Sequence, residues 1–283
     1  MTSPTLEAIY HRLVTHFGRL HGPLAVRPWW PIFGDDPAFE MLVGAVLVQQ
    51  TRWETVEKVV QRLLAADLLS PVALGHVEVA DLVPLLRPAA FYPQKAIGLR
   101  ALAAYILTGY HGSTTRLLAR PLEDLRAELL ALPRIGPETC DVTMLYGGGH
   151  PVFVVDAYTR RLFARVGPVP HQHEYECWRR DRYEQVRQTI EATLAASVPA
   201  EPPVALYAEF HAQINEVCVR YCLARPRCDG PPSRRVYSRQ DGRESYLDHA
   251  DGCPLRGICR YYREEQRDAP SRRSSGRNRG KPA

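Results

Sequence analysis

Apolar residues recur at helical spacing along most of this chain, the pattern that buries one face of an α-helix. The alternation typical of β-strands is confined to one short run, PVFVVD at 151–156. Connections marked by proline and glycine separate the periodic stretches. The sequence therefore predicts an all-α fold, with helices at 4–18, 37–50, 53–66, 78–85, 93–108, 122–131, 137–147, 157–166, 179–196 and 203–222.

Several predicted helix ends carry capping residues, and two segments carry no periodicity. Asp36 and Gly136 each precede a proline, which suits the first position of a helix. Residues 229–252 are polar and turn-rich, and residues 263–283 are basic with too few apolar residues to fold. We expect an irregular insertion and a disordered basic tail.

The charged residues are unusual in kind, since only Lys58, Lys95 and Lys281 among the 36 basic residues are lysines. Arginine suits phosphate binding, and a genome rich in G and C also explains the excess. No stretch approaches the length of a membrane span, and the first residues lack the pattern of a signal peptide. We expect a cytoplasmic protein with no membrane partner.

Five of the seven cysteines crowd into the last quarter of the chain, whereas Cys140 and Cys177 are scattered. A chain expected in the cytoplasm does not rely on disulfides. The crowding therefore favours metal binding over a disulfide framework, with simple burial as the other alternative.

The segment at 132–167, LPRIGPETCDVTMLYGGGHPVFVVDAYTRRLFARVG, combines a helical hairpin with a single following carboxylate. One predicted helix ends before a tight turn at Ile135 and Gly136, and the next begins at Pro137. Backbone N–H groups at such a turn can bind a phosphate. Asp156 follows four apolar residues, so we expect its carboxylate at the rim of a cleft, although capping a helix is an ordinary role for aspartate.

This segment resembles the helix-hairpin-helix and Gly/Pro-Asp signature of the endonuclease III family, within the HhH-GPD superfamily of DNA glycosylases. The stretches LVGAVLVQQTRW at 42–53 and LLRPAAFYPQKA at 85–96 are also similar to that family, and the cysteine-rich end resembles its iron-sulfur loop. The resemblance covers about residues 36–260. The sequences PETCDVTMLY and PVFVVDAYTRR are similar to a branch that includes 3-methyladenine glycosylases.

The resemblance implies two helical domains with a DNA-binding cleft between them. A six-helix barrel would span 36–149 and end in the hairpin. A terminal-helix domain would combine 1–35 with 150–262 and carry the cysteine loop, whose insertion is 229–252. The basic tail would follow at 263–283.

The resemblance also implies a base-excision-repair glycosylase that flips a damaged nucleotide out of double-stranded DNA and hydrolyses its N-glycosidic bond. Asp156 matches the family's catalytic aspartate, which stabilises positive charge on the sugar. Glu138 stands where bifunctional members carry the lysine that forms a Schiff base, and a carboxylate cannot form that imine. We therefore predict a monofunctional enzyme, in which Glu138 either orients the attacking water or only caps the hairpin.

Two other functions stay open. A bifunctional endonuclease III-type glycosylase and AP lyase would need Lys95 or the N-terminal amine as its nucleophile. A catalytically weak protein that binds lesions or abasic sites is favoured by Arg134, which replaces a hairpin glycine. Arg134 costs about 1 kcal/mol if the turn keeps a left-handed conformation, and a phosphate contact could compensate.

The DNA contacts that the resemblance implies lie on the hairpin and on neighbouring segments. Gln49 matches a glutamine that reaches into the duplex at the vacated base position, with a buried polar residue as the alternative. Lys95 and Arg160 are either DNA contacts or surface residues. We predict a monomer, associated with the nucleoid, whose DNA-binding residues are Gln49, Lys95, Arg134, Ile135, Gly136 and Arg160.

The implied iron-sulfur loop departs from the family spacing of Cys-x6-Cys-x2-Cys-x5-Cys. Here five residues separate Cys222 from Cys228, and twenty-four separate Cys228 from the pair Cys253 and Cys259. The four thiolates can still converge if the insertion loops out, because closure entropy grows slowly with length. The resemblance implies a 4Fe-4S cluster on these four cysteines; structural zinc on the same ligands competes, and Cys218 could replace Cys222.

Overall fold

The computed structural model describes residues 4–22, 29–167, 182–233 and 252–264, and the regular structure within these ranges is all helical, with no strand. The all-α prediction is confirmed. A π-helical turn, Thr143–Gly147, follows α9. The α-helices are α1 (Leu6–Phe17), α2 (Pro37–Leu47), α3 (Trp53–Ala65), α4 (Pro71–His76), α5 (Val79–Leu85), α6 (Tyr92–Tyr110), α7 (Thr114–Leu118), α8 (Leu122–Leu130), α9 (Pro137–Val142), α10 (Ala157–Val166), α11 (Tyr183–Ser197) and α12 (Pro203–Arg220).

Each predicted helix is present, and the differences have simple physical reasons. Helices α4 and α7 were not predicted, because six and five residues are too few to show a helical period. The helix predicted at 137–147 changes to π geometry after Val142. The helix predicted from 179 is described from Tyr183 onward, and its first predicted residues lie outside the described ranges.

Residues 151–156 form an extended segment with no strand partner among the described residues. The side chains from Val152 to Val155 are buried. Because buried backbone donors need partners, α11 supplies them. Phe153 N–H donates to Glu191 Oε1 at 2.8 Å, and Val155 N–H donates to the Tyr183 hydroxyl at 3.3 Å. Helix α11 thus fixes the segment that leads into Asp156.

Helix α1 packs against α11 and α12, so the first helix joins the C-terminal half of the chain. The Tyr10 hydroxyl donates to Glu201 at 2.8 Å, and Arg19 Nη2 pairs with the same carboxylate at 2.8 Å. This packing accords with a terminal-helix domain of 1–35 and 150–262, while the domain boundaries stay a prediction.

Most of the insertion predicted at 229–252 and nearly all of the tail at 263–283 lie outside the described residues, so those expectations stay predictions. Among the described helices, none combines the length and the apolar character needed to cross a bilayer.

Candidate active site and DNA interface

Asp156 is the N-cap of α10, and two helices hold its carboxylate. Oδ1 accepts the Thr159 backbone N–H at 2.7 Å, and Oδ2 accepts from the Asn215 side-chain amide at 3.3 Å. His211 Nε2 lies 3.6 Å from Oδ2. Only 8% of Asp156 is exposed, which corrects the expectation of a carboxylate at the rim of a cleft, since α12 contributes contacts that cover it. Asp156 does cap α10 through Oδ1. Its other oxygen, Oδ2, faces Asn215 and His211, and a helix cap needs neither of these contacts.

The surroundings of Asp156 favour its charged form. Burial by itself raises the pKa of the carboxyl, because the charge loses its hydration. The hydrogen bond and charge of His211, with the N–H of Thr159, outweigh burial and hold the pKa of Asp156 below its ordinary value. A buried carboxylate in this state can oppose positive charge that develops beside it.

An aromatic cluster of Trp29, Trp30, Trp53 and Tyr146 contacts His211, whose Nε2 faces this carboxylate. The Tyr146 hydroxyl is 2.7 Å from His211 Nδ1. The Tyr146 ring centroid lies 5.4 Å from that of Trp29 and 6.0 Å from that of Trp30, and Trp30 packs edge-on at 5.0 Å from Trp53. The three tryptophans are half-buried. His211 therefore lies between the cluster and Asp156.

The sequence analysis missed this cluster and His211. The two adjacent residues Trp29 and Trp30 could have indicated the cluster. They lie in a segment without helical period, and such large aromatic side chains are usually packed against other parts of a protein. Helix α2 makes room for them at Gly44, where a Cβ atom would lie 2.9 Å from the Trp30 ring. His211 gave no signal, since its partners come from distant parts of the chain.

Gln49 holds the turn between α8 and α9. Its Nε2 donates to the Arg134 carbonyl oxygen and to Thr139 Oγ1, both at 2.8 Å. Its Oε1 accepts from Arg134 Nη2 at 3.1 Å. The predicted insertion of Gln49 into a duplex remains a prediction, and in this structure the side chain is bound to the hairpin.

The hairpin keeps the left-handed turn that favours glycine. Arg134 has φ 69°, a conformation that costs a residue with a Cβ atom about 1 kcal/mol. A Cβ atom at Gly98 of α6 would lie 2.8 Å from the Arg134 Cβ atom, so Gly98 allows the close approach of the turn. Ile135 is buried, whereas Gly136 is exposed as the N-cap of α9. The turn is thus anchored by Ile135 and leaves backbone accessible at Gly136.

Glu138 lies in the first turn of α9 and is exposed. Its charge contributes to raising the pKa of Tyr183, although burial is the main cause of that shift. Arg160 is half-buried, with its guanidinium carbon 5.8 Å from the centre of the Tyr183 ring. The structure places Glu138 and Arg160 around Tyr183; their roles in DNA binding or catalysis stay predictions.

Lys95 is fully buried, which corrects the expectation of a lysine at the DNA surface. Its ammonium donates to the backbone oxygens of Leu47 and Gln49, each at 2.7 Å, and to Thr51 Oγ1 at 2.8 Å. These acceptors lie just after α2, where the chain turns toward α3. Lys95 therefore joins α6 to this turn, and its amine is not presented to a ligand.

All four predicted cysteine ligands line one small pocket between α10, the end of α12 and the C-terminal residues. Cys253 N–H donates to the Cys228 carbonyl oxygen at 2.9 Å, which joins the two cysteine pairs across the insertion. The cysteines that line the cavity are Cys222, Cys228, Cys253 and Cys259. Cys218 does not line this pocket, and the assignment of the four cysteines as metal ligands stays a prediction.

Four cysteine thiols, and no His, Asp or Glu side chain, line this pocket, and both iron-sulfur clusters and structural zinc use such a set of donors. Among the described residues, no group of three or more His, Cys, Asp or Glu side chains is arranged around one metal position. Arg165 Nη1 lies 3.2 Å from Cys222 Sγ, and its charge helps to lower the pKa of that thiol to about 6, after the hydrogen bond from Cys218.

Comparison with known proteins agrees with this arrangement. The family model of HhH-GPD superfamily base excision DNA repair proteins matches residues 43–188. A Methanocaldococcus jannaschii protein that carries the name of a DNA repair glycosylase is 33% identical over 227 residues, covering 79% of this chain and 91% of that protein.

The chain belongs to the HhH-GPD superfamily.

Other members resemble this HhH-GPD protein less closely in sequence. Endonuclease III of Thermotoga maritima is 30% identical over 132 residues, which are 47% of this chain and 57% of that protein. The solved 3-methyladenine DNA glycosylase of H. pylori, bound to 1,N6-ethenoadenine, is 26% identical with a TM-score of 0.55, over 75% of this chain and 96% of that one. An endonuclease III–DNA complex shares the fold with a TM-score of 0.62 at 22% identity, over 93% of this chain and 97% of that one.

One surface feature of this HhH-GPD protein was not predicted. Phe91 is 53% exposed and has φ 54°, an uncommon backbone conformation for a bulky side chain. The next residue back, Ala90, donates its N–H to Thr51 Oγ1 at 3.1 Å, two positions after Gln49. An exposed aromatic side chain on a residue with a strained backbone conformation is typical of a functional position.

Proposed function

We propose that this HhH-GPD DNA glycosylase is monofunctional: water attacks C1′ of the flipped nucleotide, and Asp156 is the essential group. The observation that carries the proposal is the buried Asp156, whose pKa is held below its ordinary value, with His211 between it and the aromatic cluster and with the glutamate Glu138 on α9. Lys95 cannot serve as the amine of a lyase without leaving its three oxygen acceptors. Lys281 and the N-terminal residue lie outside the described residues.

The chemistry follows from the charge of Asp156. As the C1′–N bond breaks, its electron pair leaves with the base and positive charge spreads over the sugar ring. The carboxylate stabilises that charge, and water forms the new C1′–O bond as Asp156 accepts its proton. The proton then passes to the departed base or to solvent. Glu138 is exposed and can orient water at the mouth of the site.

The substrate class that we propose is alkylated purine bases. An electron-poor or cationic base gains from the negative faces of aromatic rings, and Trp29, Trp30 and Tyr146 supply such faces. The H. pylori structure, which holds an ethenoadenine, supports the same class. Flipping brings the base out of the stack and into this cluster.

DNA binding would use the hairpin and the surface beside it. Backbone at Gly136 and the start of α9 would bind a phosphate, with the side chain of Arg134 alongside. Phe91 would occupy the space that the flipped nucleotide leaves, and Gln49 would join it by releasing Arg134 and Thr139. We propose that the protein acts on double-stranded DNA as a monomer.

A 4Fe-4S cluster is the cofactor that we propose for the cysteine cavity, with structural zinc as the alternative on the same ligands. When bound, it supplies a covalent link between the end of α12 and the C-terminal loop, and a redox group. Cys222, Cys228, Cys253 and Cys259 would hold it. Arg165, which already contacts Cys222 Sγ, would neutralise part of the thiolate charge.

The test is base release from duplex oligonucleotides that each carry one lesion: an alkylated purine, an oxidised pyrimidine, uracil or a mismatch. We expect strand breaks only after hot alkali, with an alkylated purine, and no adduct trapped by borohydride. Breaks without alkali would show a lyase. Tight binding of a lesion with no base release would instead show a DNA-binding protein with no turnover.

The matched variants are Asp156→Asn and Asp36→Asn. Both residues are N-caps, and asparagine caps a helix as well as aspartate does, so each variant removes a charge while it keeps the cap of its helix. We expect Asp156→Asn to abolish base release and Asp36→Asn to keep it. Equal activity of the two variants would refute the role of Asp156.

A further inference from the structure

The extended segment that leads into Asp156 is held by side chains of α11. Phe153 N–H donates to Glu191 Oε1 at 2.8 Å, and Val155 N–H donates to the Tyr183 hydroxyl at 3.3 Å. N–H groups two residues apart in an extended segment point to the same side, so both donors face the same helix. Two of the three peptide N–H groups directly before Asp156 are therefore fixed by side chains of one helix.

The Glu191 carboxylate is itself held by Arg187, one turn earlier on α11. Arg187 Nη1 lies 2.9 Å from Glu191 Oε1 and 3.1 Å from Oε2, and 8% of Arg187 is exposed. The same guanidinium binds Glu184 at 2.9 Å and lies 3.9 Å from Asp141 of α9. Hydrogen bonds between charged groups are strong, and a buried network of them restricts the rotamers of its members. The acceptor for the Phe153 N–H therefore has a defined position.

The Tyr183 hydroxyl is the acceptor at the other contact. Burial, and then the charge of Asp141, raises the pKa of Tyr183 far above its ordinary value, so the hydroxyl keeps its proton. The guanidinium carbon of Arg160, a residue of α10, lies 5.8 Å from the centre of the Tyr183 ring. Tyr183 therefore contacts the chain on both sides of Asp156, at Val155 and at Arg160.

The place of the Asp156 carboxylate depends on the backbone that carries it. Oδ1 accepts the Thr159 N–H within α10, whereas Oδ2 accepts from the Asn215 amide of α12, 59 positions away, at 3.3 Å. A shift of the segment relative to α12 would separate Oδ2 from Asn215. A catalytic group must be held to within about 0.5 Å of its productive position. The contacts that fix the segment are therefore contacts that fix this carboxylate.

We propose that Tyr183 and Glu191 are positioning residues for Asp156. They hold the peptide groups of Val155 and Phe153, and through the backbone they keep the carboxylate where the proposed glycosylase reaction needs it. The catalytic consequence rests on the proposed function, whereas the place of the carboxylate is a property of the folded protein alone. Loss of either acceptor should lower the rate of base release and leave DNA affinity unchanged.

The sharpest variant is Tyr183→Phe, which removes one oxygen and keeps the ring. Tyr207→Phe is the matched control, because the Tyr207 hydroxyl donates to the Glu191 carbonyl oxygen of α11 at 3.4 Å. The Tyr207 ring packs against Phe153 at 5.9 Å, so the control removes a hydroxyl from the same region and leaves both acceptors of the segment. Glu191→Ala removes the second acceptor, and Glu191→Gln keeps an oxygen for the Phe153 N–H.

The direct test is NMR of the isotope-labelled full-length protein, which needs no DNA. The Asn215 side-chain amide reports the place of Asp156 Oδ2, to which it donates. Its signal should move in Tyr183→Phe and in Glu191→Ala, and should stay in place in Tyr207→Phe. An Asn215 signal that is unchanged in both Tyr183→Phe and Glu191→Ala would overturn the positioning role.

The kinetic test is single-turnover base release at saturating enzyme, well below the unfolding temperature of each variant. We expect a loss on the order of tenfold in Tyr183→Phe and 100-fold in Glu191→Ala, since misplacement by about 1 Å costs about 100-fold. Affinity for a duplex with an abasic-site analogue should not change. Tyr207→Phe should keep the wild-type rate, and Glu191→Gln should recover most of it.

Equal rates of base release by Tyr183→Phe and Tyr207→Phe would show that the Tyr183 hydroxyl contributes only to folding, and would overturn its role. A loss of DNA affinity in place of rate would overturn it too. If wild type releases no base from any lesion, the proposed function fails, and the NMR signal of Asn215 still decides whether Tyr183 and Glu191 set the place of Asp156.

Discussion

Gln49 and Arg134 are 85 positions apart in the chain, yet the Gln49 amide donates to the Arg134 carbonyl oxygen at 2.8 Å and accepts from its guanidinium at 3.1 Å. A residue from the end of α2 therefore sets the shape of the hairpin turn. The phosphate binding that we propose for that turn would depend on a contact that is remote in sequence.

We expect Gln49→Ala to weaken binding to a duplex that carries an abasic-site analogue by about tenfold, since each hydrogen bond lost from the turn contributes about 1 kcal/mol. Fluorescence anisotropy measures the affinity. Gln61→Ala, on the exposed face of α3, is the matched control and should bind as wild type does. If the two variants bind the duplex with equal affinity, the contacts of Gln49 with the hairpin turn do not contribute to DNA binding.

Gly98→Ala should destabilise the fold by about 1 to 3 kcal/mol and weaken DNA binding, because the new Cβ atom would lie 2.8 Å from the Arg134 side chain. Gly109→Ala on the same helix meets nothing within 4 Å and should stabilise α6 by about 0.5 to 1 kcal/mol. Denaturant unfolding and anisotropy report both effects. If both variants change the free energy of unfolding in the same direction, the predicted clash between the new Cβ atom and Arg134 is contradicted.

Lys95→Met should lower the free energy of unfolding by about 1 to 3 kcal/mol at neutral pH, because three oxygen acceptors lose their donor. Burial, and then the charge of Arg134, lowers the pKa of Lys95 to about 8 from 10.5. Between these values the unfolded chain holds a proton that the folded chain has released. The stability of wild type relative to Lys95→Met should therefore rise with pH across this window and stay constant below it.

Chemical denaturation of both proteins at several pH values checks the lysine prediction. Lys58→Met on α3, whose side chain is exposed, is the control and should show no such dependence. If the stability of wild type relative to Lys95→Met instead falls as the pH rises, Lys95 keeps its proton in the folded protein across this pH range. Wild type and Lys95→Met should also form no borohydride-trapped adduct with DNA.

Cys253→Ser should remove bound iron and lower thermal stability, because the cavity loses one of four thiolates. Metal analysis of the wild-type protein should find about four irons per chain and visible absorption from sulfur-to-iron charge transfer. Cys140→Ala is the control, since Cys140 is buried away from the cavity, and it should retain the metal. One zinc per chain in place of iron would identify the alternative cofactor.

The fold class and the hairpin were predictable because they depend on local information. Helical period, the proline after Asp36 and the proline after Gly136 act within a few residues, and α2 and α9 begin where these signals place them. The short helices α4 and α7 were missed for the same reason, since they contain too few residues to show a period.

The candidate site was predictable only in part. Asp156 was identified from its distance to the hairpin, but its burial depends on Asn215 and His211 from α12. The burial of Lys95 was also not predictable. Its neighbours in the sequence do not indicate that the oxygen acceptors near Leu47 surround its ammonium group. Burial of a polar side chain depends on what packs over it, and that information lies far along the chain.

The sequence by itself determined the all-α fold, the hairpin with Asp156 after it, and the absence of a lysine at position 138. Only the tertiary structure decided that Lys95 is internal, that His211 faces Asp156, and that Trp29 packs against His211. The physical reason is that helix formation follows from neighbouring residues. The charge and exposure of a side chain follow from contacts between segments that only folding brings together.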